Sequence, residues 1–284
     1  MEHIFLSALA TDNFLPGILI LNQSLINVKS KFKLKVITVP SLSKEVFEIL
    51  EEVGIETIMV EPIRNPMQPK QVRFKHSYTK LRMFDLVQFD KIVFLDADTL
   101  VCNPIDDLFN KPHMSAVNTG GMLPEFSDWQ HLNSGVMVLE PNTLLFEDFM
   151  RKKNILPSVD GGDQGFLQSY FSEWPSQEWL KLCHGYNLCV EHIPRYKELF
   201  GYDFTTNSNK VDQKLIRIIH FWGSSKPWLF SETEINLIEN RDMKHAFKLW
   251  FETADQVTRT FSESTIKKMC KVFPTLNSYV SALT

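Results

Sequence analysis

Lys91-Ile92-Val93-Phe94-Leu95-Asp96-Ala97-Asp98-Thr99-Leu100 decides how the rest of the chain is read. Four apolar residues, Ile92 to Leu95, run straight into two carboxylates one residue apart. A short continuous apolar run of this kind reads as a strand buried on both faces. In an open α/β sheet the C-terminal ends of such strands face the ligand crevice. Residues i and i+2 share a face of extended chain, so Asp96 and Asp98 are expected to point into one site. Two hard anionic ligands so placed suit Mn²⁺ or Mg²⁺, and either ion suits a diphosphate. A solvated acidic turn behind the strand is the alternative, because D-x-D is a short pattern.

Upstream, residues 3–9 read as a first strand. Thr11-Asp12-Asn13 reads as a turn whose Asp12 caps a helix over 15–28, with Pro16 in its first turn. A strand over 32–39, a helix over 43–54 capped by Ser43, and a short strand over 56–60 follow. Alternation at this period predicts parallel strands joined by right-handed crossovers. No G-x-G-x-x-G follows the first strand, so the dinucleotide fingerprint is absent. Residues 62–69 hold three prolines and read as a loop. A helix over 77–88 carries Lys80, which by itself reads as a surface residue.

Downstream, a turn at Asn103-Pro104 enters a short helix, and a strand over 114–117 leads to a long loop. Asn133 and Ser134 then open an apolar strand over 132–139, where they double as turn residues. A helix over 143–153 precedes Asp160-Gly161-Gly162-Asp163-Gln164-Gly165. There Asp163 and Gln164 stand at the N-terminus of the next helix, where free N–H groups favour a carboxylate; a plain cap reads equally well. Residues 174–188 read as loop and short strand, and 191–212 as polar, aromatic-rich and irregular. A strand over 215–219 runs into His220, with Gly223 and Lys226 close behind, a spacing that can wrap a phosphate. Helices are expected over 231–260 and on to Val272, with a loose tail beyond Pro274.

The 284 residues are 44% hydrophobic, ordinary for a soluble globular protein. The length suits one large α/β domain or one domain with a helical appendage. Net charge is −4 and no basic run stands out, so a nucleic-acid partner is not suggested. Cys102, Cys183, Cys189 and Cys270 form no C-x-x-C pair, so no structural zinc site is expected. Their scatter fits free thiols in the cytoplasm. The first residues lack the basic and apolar regions of a signal peptide. No apolar run approaches the roughly 20 residues that span a bilayer, so no membrane partner is expected.

Five segments, in order, resemble the glycogenin-like retaining glycosyltransferases of family 8. They are Thr79-Lys80-Leu81; Phe94-Leu95-Asp96-Ala97-Asp98-Thr99-Leu100 with Ile105-Asp106-Asp107-Leu108-Phe109; Asn133-Ser134-Gly135-Val136; the 160–165 run; and His220-Phe221 with Gly223, Lys226, Pro227 and Trp228. The resemblance implies a GT-A fold, with a Rossmann-like mixed central sheet flanked by helices over 1–230. Residues 231–284 would then be a C-terminal helical extension packed on it. It also implies a UDP-sugar donor, UDP-glucose or UDP-galactose, with Mn²⁺ or Mg²⁺ held by Asp96, Asp98 and His220. Gly223 and Lys226 resemble the diphosphate contacts, and Lys80 the lysine near phosphate and sugar. Ala8, Ala10, Thr11 and Phe14 match the nucleotide loop, Phe14 standing where the family carries tyrosine, and Ala97 presents backbone to the ribose. Asn133, Ser134, Asp160, Asp163 and Gln164 match the surroundings of the transferred sugar, with Asp163, and less so Gln164, as the catalytic group if a nucleophile exists.

The acceptor is left open as a glycan, a polyol (galactinol-synthase-like transfer) or a protein hydroxyl. Tyr196 falls near the place where the family glucosylates its own tyrosine. A homodimer is compatible with the C-terminal helices. A competing class is the haloacid-dehalogenase-type phosphatase, which also sets D-x-D behind an apolar strand. That motif stands on the first strand with Thr or Val two places after its second Asp, whereas here Leu100 holds that place and three strands precede it.

Overall fold

The computed structural model describes residues 2–67, 76–205 and 214–272. The end of the 62–69 loop, residues 206–212 of the segment read as polar and irregular, and the tail beyond Pro274 lie outside the described residues.

The alternating first third folds as read: β1 (His3–Leu9), α1 (Leu15–Asn27), β2 (Leu34–Thr38), α2 (Lys44–Glu52) and β3 (Glu56–Met59). Then come β4 (Lys91–Leu95), β5 (Thr99–Val101), β6 (Ser115–Asn118), β7 (Leu132–Leu139), α3 (Thr143–Lys152) and α4 (Asp163–Tyr170). The last third holds β8 (Leu188–Cys189), α5 (Ile193–Phe200), β9 (Tyr202–Asp203), β10 (Lys214–Leu215), β11 (Ile218–His220), α6 (Glu232–Asn236), α7 (Arg241–Thr258) and α8 (Glu263–Val272).

The main sheet runs β3-β2-β1-β4-β7-β6. β1 to β4 are parallel and β7 alone is reversed, which makes the sheet mixed. Both faces are covered. On one, Phe5, Val93, Leu95 and Val136 pack with α1, α2 and α7 side chains. On the other, Leu6, Ile92, Phe94 and Met137 pack with Phe149 and Phe166 of α3 and α4. β4 therefore alternates between two cores, as its unbroken apolar run requires. Each such side chain contributes roughly 1.5–3 kcal/mol on burial.

A second sheet, β5-β11-β8, positions the site. β4 stops at Leu95, and Asp96 to Thr99 form a turn in which the Thr99 N–H and hydroxyl both donate to the Asp96 carbonyl, at 3.1 and 2.7 Å. The two aspartates are thus brought together by a turn between sheets rather than by alternation along one strand. Antiparallel pairing of β5 with β11 sets His220 opposite Thr99, and the Phe221 N–H donates to the Asp98 carbonyl at 2.9 Å.

Other expectations are corrected. Asp12 caps no helix side chain to backbone; it accepts from the Ser43 N–H at 3.1 Å and so ties the start of α2 to the loop after β1. Residues Ser77–Asp85 wind as a 3₁₀ helix. The segment read as irregular contains α5, with Pro194 in its first turn and Gly201 ending it at φ 71°. At the C-terminus α7 packs on α1 and α8 on α2. Phe247 and Trp250 of α7 meet Phe221 and Trp228 at centroid separations of 5.4 and 5.9 Å.

Candidate active site

The turn after β4, the end of β11 and the start of β7 meet at one place. Ligand atoms of Asp96, Asp98 and His220 lie within 4.8 Å of one another. His220 Nε2 is 3.1 Å from Asp98 Oδ1 and 4.0 Å from Asp96 Oδ2. Lys226 donates to Asp98 Oδ2 and, at 2.6 Å, to the Phe221 carbonyl. Lys80 donates to Asp96 Oδ1 at 2.9 Å, with Asp163 Oδ2 at 3.4 Å. Far from the surface, Lys80 is only 7% exposed and lies 4.5 Å over the Phe94 ring. Ser134 closes the group: its hydroxyl donates to Asp163 Oδ2 at 3.0 Å and its N–H to Gln164 Oε1 at 3.2 Å.

Electrostatics follow from this packing. Burial opposes charge on Lys80, but Asp96 and Asp163 outweigh it and lift the ammonium above its ordinary value. Burial likewise pushes Asp98 upward, yet His220 and Lys226 hold its carboxyl well below the usual range. Burial lifts Asp96, with Lys80 pulling it down and the Asp98 charge pushing it up again. Three carboxylates, Asp96, Asp98 and Asp163, thus face the ammonium groups of Lys80 and Lys226.

That donor set fits a hard or borderline divalent cation. The tautomer of His220 fits as well. Gly135 N–H donates to Asn133 Oδ1 at 2.8 Å, and Asn187 Nδ2 donates to the same oxygen at 2.9 Å. Asn187 Oδ1 therefore faces His220 Nδ1, 2.8 Å away, and must accept its proton. Nε2 is left with its lone pair toward the two carboxylates, where only a proton or a metal ion relieves the contact.

The model of the glycosyl transferase family 8 matches residues 5–232. The chain belongs to glycosyl transferase family 8. It is a glycogenin-like member. Glycogenin-1 of Mus musculus is 32% identical over 236 residues, covering 81% of this chain and 66% of that protein. Inositol phosphorylceramide glucuronosyltransferase 1 of Arabidopsis thaliana is 32% identical over 238 residues, covering 79% and 42%. The family 8 chain thus spans about two fifths to two thirds of these relatives' lengths. Among solved structures, the galactosyltransferase LgtC with donor and acceptor sugar analogs aligns at TM-score 0.61 and 16% identity, covering 94% of this chain and all of that one. The architecture is the GT-A fold.

In this family 8 chain the structure gathers Lys80, Asp96, Asp98, Asn133, Ser134, Asp163, Gln164, His220 and Lys226 into one connected cluster. Phe14 lies beside it, 5.6 Å from Trp228 and 5.9 Å from Lys226 Nζ. Ala8, Ala10 and Thr11 stand at the end of β1 and just after it, and Gly223 sits exposed at φ 61° in the loop before Lys226. Asp160 Oδ1 accepts from the N–H groups of Gly162 and Gly165 and from the Ser158 hydroxyl, at 2.9, 3.0 and 2.9 Å, and so caps α4. Tyr196 is 2% exposed, and its hydroxyl accepts the Met122 N–H at 2.7 Å. Among the described residues no helix is long and apolar enough to cross a membrane.

Sequence reasoning missed three residues. Asn187 gave no signal, being one amide in a loop. A Cβ at Gly135 would strike the His220 ring, and one at Gly17 of α1 would strike the Ala97 carbonyl oxygen. Both glycines sit inside regular elements, where a Gly is costly unless something approaches closely, and that cost was the available signal.

Proposed function

We propose that the chain is a divalent-metal-dependent retaining hexosyltransferase, moving a hexose from UDP-glucose or UDP-galactose to a hydroxyl acceptor. The observation that carries this is the cluster in which Asp96, Asp98 and His220 converge between Lys80 and Lys226. With those three as ligands, bound Mn²⁺ or Mg²⁺ would supply charge stabilisation to the diphosphate. Lys226, tied to Asp98, adds a fixed cation where the leaving UDP gains charge. The bond from the anomeric carbon to the β-phosphate oxygen breaks and its electron pair leaves with UDP. A bond from the acceptor oxygen to that carbon forms, and the hydroxyl proton passes to the departing diphosphate or solvent. Asp163, tied to Lys80 and Ser134 beside the cluster, is the carboxylate we assign to stabilise the anomeric carbon as the bond to UDP breaks. Gln164, fixed by the Ser134 N–H, is positioned next to it.

The buried, engaged hydroxyl of Tyr196 favours a separate acceptor over self-modification. Four free cysteines are in keeping with action in the cytoplasm. The test is purified protein with Mn²⁺ and a panel of UDP-sugars, scored by UDP release and intact mass. UDP release that needs the metal and one or two of the donors is expected. A mass gain on the chain itself would move the acceptor to a protein side chain. No release with any donor would remove the transferase reading.

A further inference from the structure

Two stretches of chain leave the β5-β11-β8 sheet side by side. β8 and β11 run parallel with Cys189 opposite His220, so the residues that follow each strand are neighbours. After β11 comes the loop over 221–226, which carries Gly223 and Lys226. After β8 comes a single 3₁₀ turn, Val190–His192, anchored by Val190 and by the next residue Ile193, both fully buried. Two contacts join the turn to the loop. The Ser225 hydroxyl donates to Glu191 Oε1 at 2.7 Å, and Trp222 meets the His192 ring edge-on at 5.8 Å.

The loop is fixed at its ends. The Phe221 N–H donates to the Asp98 carbonyl, and Pro227 and Trp228 are buried. Between them Gly223 and Ser224 are exposed, and a Cβ at Gly223 would meet no atom within 4 Å. Among the described residues, Glu191 is the only side chain outside the loop that hydrogen-bonds Ser225. Lys226, the next residue, is engaged at its ammonium by Asp98 and by the Phe221 carbonyl.

We infer that Glu191 is a positioning residue for the donor diphosphate: through Ser225 it sets the 222–226 loop, and so the place of Lys226, while itself touching no substrate. The inference rests on the transferase reading above. A diphosphate competes with Asp98 and the Phe221 carbonyl for the Lys226 ammonium. Whatever then keeps Lys226 in place acts on its backbone, and Ser225 is the neighbouring residue that is tied down. Trp222 against His192 is the second point of attachment. Glu191 suits this task because the register of β8 on β11 places both its turn and His220, so the loop and the candidate metal ligands share one reference. A hydrogen bond at the surface adds little to global stability, so its loss is read in donor binding and not in unfolding.

The experiment is calorimetry of the full chain with UDP in saturating Mn²⁺, with Mn²⁺ alone as a second titration and kcat/KM for the working UDP-sugar alongside. Glu191→Ala is expected to weaken UDP binding, and to lower kcat/KM, by about fivefold, the scale of one hydrogen bond. Glu191→Gln, which still accepts from a hydroxyl, should recover most of that loss. Ser225→Ala should reproduce it, and the double variant should be no worse than either single one. Mn²⁺ affinity without nucleotide and the melting temperature should stay as in the parent, because Asp96, Asp98 and His220 are untouched. Unchanged UDP affinity in Glu191→Ala, a Glu191→Gln variant as weak as Glu191→Ala, additive losses in the double variant, or weakened binding of Mn²⁺ alone would overturn the inference. Each of these leaves the transferase reading standing, because the parent chain still binds UDP. A parent chain that binds no UDP in the presence of Mn²⁺ would bring down both.

Discussion

The imidazole of His220 shows how one proton's position decides what a site can hold. Its Nδ1–H is claimed by Asn187, whose amide is oriented by Asn133, whose oxygen is in turn held by the Gly135 N–H. Asn187→Ala should free the ring to flip or change tautomer. Mn²⁺ affinity by calorimetry is then expected to fall about tenfold to a hundredfold, the usual effect of losing such an outer partner, with little change in melting temperature. An unaltered affinity would mean that another contact orients the ring. Asp98→Asn is the stronger lesion: it keeps the volume and an acceptor for Lys226 but removes the charge that a bound cation would face. Turnover should drop by at least about a hundredfold, and a fully active variant would refute the site assignment. Lys80 carries the lesson in legibility at this scale. Alone in sequence it looks like surface, and only the fold reveals two carboxylates packed against it.

Between β4 and β5 the chain leaves one sheet for another, and that turn is the element on which the site depends. Gly17 of α1 lets the Ala97 carbonyl settle against the helix. Gly17→Ala inserts a methyl group between two backbones that cannot both stay in place. It should cost about 1–3 kcal/mol in a urea titration, as overpacking generally does, and should weaken metal binding by displacing the turn. Unchanged stability would show that α1 can move without the turn. The apolar run of β4 was readable because burial on both faces demands it. The turn was not, since Asp96 and Asp98 have the same parity whether the strand continues or breaks, and apolar Leu100 and Val101 suit either case. What breaks it is pairing with β11, over a hundred residues away, which no local pattern announces. α5 was hidden differently: Pro194 and Gly201 look like breakers but are its first-turn and terminal residues.

At the scale of the molecule, the C-terminal helices and the site are one packed body. Phe247 is buried against Phe221, the residue that follows His220, so Phe247→Ala should cost about 3–5 kcal/mol and loosen the strand end that carries the imidazole. Acid should loosen the whole fold for a separate reason. Burial holds His113, His131, His184 and His192 below their ordinary values, His184 at about 4. An unfolded chain takes up protons at these side chains near pH 6.5, whereas the folded chain refuses them until lower pH. Below pH 6.5 the unfolded state therefore binds more protons, and stability must fall as pH falls. The contribution is fully present above about pH 6.5 and is lost progressively down to about pH 4, where His184 is protonated in both states. His184 alone accounts for at most about 3 kcal/mol of this. Urea midpoints at pH 7 and pH 5 measure it directly: the midpoint should be lower at pH 5, and His184→Phe, which cannot take up a proton, should shrink the difference. Equal midpoints in the parent chain would mean that these imidazoles reach solvent and titrate as freely folded as unfolded.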